Sequence, residues 1–310
     1  MKKEISHNEK EIDAQPNCHN RQRVLNVLPR KPALSLDAHL VRLHLQSPNP
    51  AALADFYARC YGMQQRVLGE THLCDAPKRA VHISPGQVNQ LHYALWACNT
   101  QASWELLRAR TAQLPRQDLS GLTDLPADAL GVQDPQGLCL VFVPPQSAPA
   151  FDAPSSHLPA ATNQHFAVRT QQIETLVAFY TEQLGFIVSD RVQDDSGQLT
   201  ACFLRTEHLH HCLALFGAPV NCFDHQSFET PSWNDLKDWA DHMGRLRTEI
   251  VWGVGRHGPG NDVFFMVRDP DGNLTEISSE IEVCAPDRPM GVWPHEERTL
   301  NVWGKAIMRS

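Results

Sequence analysis

The chain has 310 residues, 42% apolar and 20% charged, which is the make-up of a folded protein and argues against disordered and fibrous classes. At about 150 residues per domain, that length carries two domains, each large enough to bury its own core. The net charge of −8 and pI near 6.0 argue against a phosphate-backbone partner and favour a small molecule.

The first 36 residues are polar, carry Pro16, Pro29 and Pro32, and read as a lead segment without sustained period. Met1-Lys2-Lys3 is followed by Glu4, His7 and Glu9 instead of an apolar run, so no secretory signal is expected. No stretch approaches the roughly 18 apolar residues of a membrane span. The expected compartment is the cytoplasm, and the nine cysteines, without CxxC pairs, read as reduced packing thiols.

From Ala38 the pattern changes. Leu40, Val41, Leu43 and Leu45 read as a strand, Ser47-Pro48-Asn49-Pro50 as a helix start, and Ala51 to Tyr61 as an amphipathic helix stopped by Gly62. Val132-Gln133-Asp134-Pro135-Gln136-Gly137 then predicts a tight turn between strands, because Pro fixes φ and Gly accepts a positive φ. A Pro/Ser-rich stretch from Pro144 to Ser156 reads as a linker. Beyond it the unit returns: His165 to Val168 as a strand, Ile173 to Leu184 as a helix, Gly185 as its stop, and Val267-Arg268-Asp269-Pro270-Asp271-Gly272 as the closing turn. Two matches in the same order make an internal repeat. The division is therefore a lead (1–36), an N-terminal module (37–146), a linker (147–162), a second module (163–283) and a tail (284–310).

The repeat shows where metal donors lie. At the first-strand position Arg42 stands where the second copy has His165; seven residues after the turn aspartate, Val141 stands where it has Glu276. Only the second half is expected to bind metal, and His92 in the first reads as an ordinary strand residue. His225, at another predicted strand start, supplies a third donor. Two neutral imidazoles and one carboxylate suit a divalent ion with open positions, as in iron(II) oxygenases. Taken singly, each histidine is more often a surface or hydrogen-bonded core residue, and Glu276 could face solvent on an alternating strand. On a buried strand, though, an unpaired carboxylate is costly.

The stretch from His165 to Ile277, above all Val254-Gly255-Arg256-His257-Gly258-Pro259-Gly260-Asn261-Asp262-Val263-Phe264-Phe265 and Arg268 to Glu276, resembles the catalytic module of the type I extradiol ring-cleaving dioxygenases of the vicinal-oxygen-chelate superfamily, nearest the homoprotocatechuate and catechol 2,3-dioxygenase branch. The likeness is strong over about 120 residues and weaker over Leu40 to Val143. It implies an α+β fold of two tandem vicinal-oxygen-chelate modules, each built from paired βαβββ units around a mixed, curved sheet. It implies iron(II), with manganese(II) an alternative, on His165, His225 and Glu276. His211 falls on the family's proton-handling histidine, with His210 its near rival and His208 a distant one; an exposed polar hairpin is the competing reading of that cluster. His257 falls on the histidine that binds a ring oxygen.

The sequence departs from the family ten residues before Glu276, where Met266 replaces a usual tyrosine and no hydroxyl is available to the substrate. With Phe264 beside it, Met266 implies an apolar substrate wall. The implied partners are a small aromatic diol and O2, with no nucleic acid and no membrane, in a homo-oligomer. The alternatives are a lyase, isomerase or hydrolase of the same fold, which would call for a second carboxylate, Glu229 and Asp262 being nearest, or a ligand-sequestering binding protein. The Trp293 to Trp303 tail reads equally as a pocket or subunit cover and as a helix packed on its own core.

Overall fold

The computed structural model describes residues 36–122, 124–149 and 157–308; the lead up to residue 35, with Cys18, and linker residues 150–156 lie outside them. The first half runs β1 (Ala38–Ser47), α1 (Pro50–Tyr61), β2 (Gln64–Leu68), β3 (Thr71–Ala76), β4 (Arg79–Pro85), β5 (Gln90–Cys98), α2 (Gln101–Arg110), β6 (Leu130–Gln133) and β7 (Cys139–Val143). The second runs β8 (Thr162–Thr170), α3 (Ile173–Ala178), β9 (Ile187–Gln193), β10 (Leu199–Arg205), β11 (Leu213–Gly217), β12 (Cys222–Glu229), α4 (Trp233–Arg245), β13 (Ile250–Arg256), β14 (Val263–Arg268), β15 (Leu274–Ser279), β16 (Gly291–Pro294) and α5 (Glu297–Leu300). Each half makes one mixed sheet, of seven strands in the order β2-β3-β4-β1-β5-β7-β6 and of nine in the order β13-β14-β15-β12-β8-β11-β10-β9-β16. The fold is the expected α+β arrangement of two curved, mixed sheets.

Local chemistry explains the repeated landmarks. Asn49 caps α1 by accepting from Ala52 N, and Gly62 ends it in the left-handed region. The helix predicted over Ile173–Leu184 is α-helical only to Ala178 and closes in a wider π turn, Phe179–Leu184, before Gly185. In the two Asp-Pro-x-Gly turns, Asp134 Oδ1 accepts from Gln136 N and Leu138 N, and Asp269 Oδ1 accepts from Asp271 N and Asn273 N. Gly137 and Gly272 close them at φ 96° and 91°, which a side chain disfavours.

The second module contains two full βαβββ units, whereas the second unit of the first is a strand short. Where β13 has its counterpart, Arg116 makes only an isolated bridge to Val132. One shared core lies between the halves: Tyr61 packs on Phe228 and Trp239, and Tyr57 and Tyr61 reach Thr275. The opposite sheet faces form two separate apolar clusters, one around Tyr93, Leu95 and Val141 and one around Phe203, Trp252, Phe264 and Met266. The eight cysteines among the described residues are free thiols, and no helix there is long and apolar enough to cross a membrane.

Candidate metal centre

His165 on β8, His225 on β12 and Glu276 on β15 sit on three adjacent strands of the nine-stranded sheet, because Ser227 on β12 pairs with His165 on one side and with Glu276 on the other. All three are buried, Glu276 completely. Their donor atoms lie within 4.8 Å of one another, with His165 Nε2 3.2 Å from His225 Nε2 and 3.8 Å from Glu276 Oε1. A solvent-facing Glu276 is thereby excluded.

The neighbours fix which nitrogens carry protons. Gln164 Nε2 donates to the His211 carbonyl, turning its Oε1 onto His165 Nδ1. Asp224 Oδ1 lies 2.6 Å from His225 Nδ1, and Arg169 holds the other Asp224 oxygen at 2.7 Å. Both imidazoles therefore carry hydrogen on Nδ1 and turn the Nε2 lone pair inward. Burial drives the His165 pKa down to about 3, so the ring is neutral. Burial raises Glu276, but His257 and His165 outweigh it and hold the carboxyl ionised. The two Nε2 atoms face each other beside a carboxylate. This donor set fits a divalent cation.

Two further histidines flank the donors. The buried His211 ring lies 4.4 Å from that of His165 between centroids, and burial, then His165, push its pKa well below the ordinary value. Its Nδ1 is 3.1 Å from His210 Nδ1; His210 Nε2 in turn lies 3.1 Å from Asp190 Oδ2, off the line of a straight hydrogen bond. Gly260 passes so close that a Cβ would meet Asp262, His210 and His211 at 2.9–3.2 Å. His210 and His211 are thus interior, and only His208 of that cluster is exposed. His257 donates from Nδ1 to the Leu300 carbonyl at 2.6 Å, and its Nε2 lies 3.6 Å from Glu276 Oε2.

These groups line one end of a cavity with about 350 Å³ of atom-free space, whose remaining wall includes Phe203, Phe216, Trp252, Met266 and Leu300. Met266 faces it opposite Glu276 across the β14–β15 pair. Phe264, expected at the substrate, instead stacks behind His257, with ring centroids 3.8 Å apart and 4° between planes. The tail is more than a self-packed helix. β16 joins the nine-stranded sheet beside β9, and Leu300 of α5 reaches the cavity.

Of the two carboxylates named from the sequence, Asp262 comes within 4.8 Å of the His257 and Glu276 donors, while Glu229, which burial pushes up to about 8, is bonded to Ser278 and Ile281 instead. In the N-terminal sheet the position matching His225 belongs to Tyr93, since Tyr93 pairs with His44 as His225 pairs with Ala167. Arg42 and Val141 do match His165 and Glu276. Yet His44, His82 and Asp124 converge there, so donors are not confined to the second half. Arg42 already supplies a positive charge, with Nη2 3.3 Å from Asp124 Oδ2, 2.6 Å from its carbonyl and 3.0 Å from the Tyr93 hydroxyl.

Sequence reasoning missed Gln164, Asp224, Asp190 and Ser227. The first two carry a usable signal, a hydrogen-bond acceptor immediately before each ligand histidine. Asp190 and Ser227 carry none, because strand pairing alone brings them in.

A family profile describing the Glyoxalase/Bleomycin resistance protein/Dioxygenase superfamily matches residues 163–277. The chain is 30% identical over 148 residues to metapyrocatechase 2 of Cupriavidus necator, across 46% of this chain and 44% of the relative, and so spans less than half of that protein's length. Its fold is shared with homoprotocatechuate 2,3-dioxygenase from Brevibacterium fuscum, solved with 3,4-dihydroxyphenylacetate (TM-score 0.73, 23% identity, 91% of this chain and 93% of that one). It is shared as well with the Mn(II)-bound glyoxalase from Novosphingobium aromaticivorans (TM-score 0.72, 22% identity, 87% and 92%).

Proposed function

We propose that this protein, whose residues 163–277 match the Glyoxalase/Bleomycin resistance protein/Dioxygenase superfamily profile, is a metal-dependent extradiol dioxygenase that opens the ring of an aromatic diol with O2. The observation that carries the reading is the convergence of the His165, His225 and Glu276 donors beside an apolar cavity that His165, His225, His211 and His257 line.

A divalent cation bound there supplies Lewis acidity to a vicinal diol and, if it is iron(II), a path for electrons between diol and O2. The side chains do the rest. His257, held by the Leu300 carbonyl and the Phe264 ring, presents Nε2 to a ring oxygen and fixes which way the diol lies. His211, neutral in its buried seat, accepts a proton as the diol ionises and returns it to oxygen as the O–O bond breaks. Phe203, Phe216, Trp252 and Met266 exclude water and grip an apolar ring substituent.

Asp262 beside His257 favours a second reading, a lyase or isomerase that uses the cation only to polarise its substrate. Anaerobic purification with metal analysis, followed by oxygen uptake over a panel of diols, separates the two. Iron-loaded protein should consume O2 with at least one apolar diol. Fully loaded protein that consumes none sinks the dioxygenase reading.

A further inference from the structure

Glu276 faces two ways. Its Oε1 accepts from Ser227 Oγ at 2.8 Å and looks toward His165, whereas its Oε2 is buried with no protein donor and looks toward His257 Nε2 at 3.6 Å. His257 is oriented as metal-ligating histidines are: a carbonyl can only accept, so Nδ1 donates to Leu300 and Nε2 is the nitrogen turned to Glu276. Asp262 completes the group. It is 0% exposed, and neither of its carboxylate oxygens has a hydrogen-bond partner. Two carboxylates in one dry corner repel each other, and an unpaired buried charge is among the costliest features a fold can carry.

We propose that the chain holds a second divalent cation between His257 Nε2, an Asp262 carboxylate oxygen and Glu276 Oε2, with Glu276 bridging it to the first. The donor atoms of these three residues lie within 4.8 Å of one another, as those of His165, His225 and Glu276 do, and Glu276 is the one residue common to both groups. The cation satisfies Glu276 Oε2 and one of the two orphaned Asp262 oxygens at once. The second ion occupies the His257 nitrogen that otherwise meets the diol, so its binding and the diol's are mutually opposed. The inference rests on the metal-binding reading of the first position and not on the ring-opening reaction.

The test is Mn(II) binding to the metal-free full chain, followed by equilibrium dialysis and electron paramagnetic resonance. The wild type should take two ions per chain with the broadened spectrum of interacting spins. Asp262→Ala and the near-isosteric Asp262→Asn should each take one, with the sharp spectrum of an isolated ion; if the alanine variant does not fold, the asparagine variant decides. His225→Ala should retain one. Saturation of the wild type at a single ion, lost in His225→Ala, overturns the second position and leaves the first standing. Two ions without spin interaction place the second elsewhere, with His44, His82 and Asp124 as the candidate, and overturn it as well. No binding at all removes both.

Discussion

Asp224 and Met266 are the residues whose substitution separates binding from selectivity at the centre. Asp224 sets the tautomer of His225 without touching the inward donors, so Asp224→Ala should leave the fold intact and weaken metal affinity by about 10- to 100-fold, measured by chelator competition. Unchanged affinity would mean that His225 is oriented by the sheet alone. Met266 lies opposite Glu276 and lines the cavity, where a tyrosine would add one hydrogen bond worth about 1–3 kcal/mol, roughly tenfold to a hundredfold in rate. Met266→Tyr should therefore raise turnover of small polar catechols and lower that of bulky apolar diols. No change with either class would detach Met266 from selectivity.

At the scale of elements, the tail and the strand it joins hold the two histidines that flank the donors. Asp190 on β9 receives Arg288 Nη1 at 2.9 Å, Gly291 N at 3.0 Å and Trp293 Nε1 at 2.7 Å, all from the tail, and it backs His210 behind His211. Arg288 also grips Glu282 with two nitrogens at 2.6 and 2.8 Å. Arg288→Ala leaves Asp190 underpaired and lets His211 tilt. The expected result is a fall in kcat of about tenfold, the size of one lost charged hydrogen bond, with metal content and diol KM unchanged. A fall in metal content instead would show that the tail supports the whole sheet and not His211 in particular.

Across the whole molecule the two halves share one core in which α4 is central: Trp239 is fully buried, packs against Tyr61 of the other half and lies under Arg79, whose guanidinium is 5.4 Å from the indole. Trp239→Ala opens a cavity at this seam and should cost about 3–5 kcal/mol by denaturant unfolding. Because the core is common, both halves should unfold in a single transition followed by tryptophan fluorescence and far-ultraviolet dichroism together. Two separated transitions in the wild type would contradict a shared core.

The strand-helix-Gly unit, the Asp-Pro-x-Gly turns and His165, His225 and Glu276 as candidate donors were legible in the residues themselves, and the α+β class through the family resemblance. The residue-level signals are local: Pro and Gly set φ within a few residues, and Arg42 and Val141 stand in the first half where His165 and Glu276 stand in the second. What the sequence could not yield depends on register between strands far apart in the chain. Tyr93, and not its neighbour His92, takes the place equivalent to His225, beside a bulge that shifts the β1–β5 pairing between His44 and Leu45. Asp262 meets Glu276 across fourteen residues, and Asp190 meets the tail across about a hundred, through sheet pairings that leave no periodicity to read. Side-chain alternation along a strand is determined by two residues at a time, but which strands lie side by side is decided only when the whole sheet buries its apolar faces.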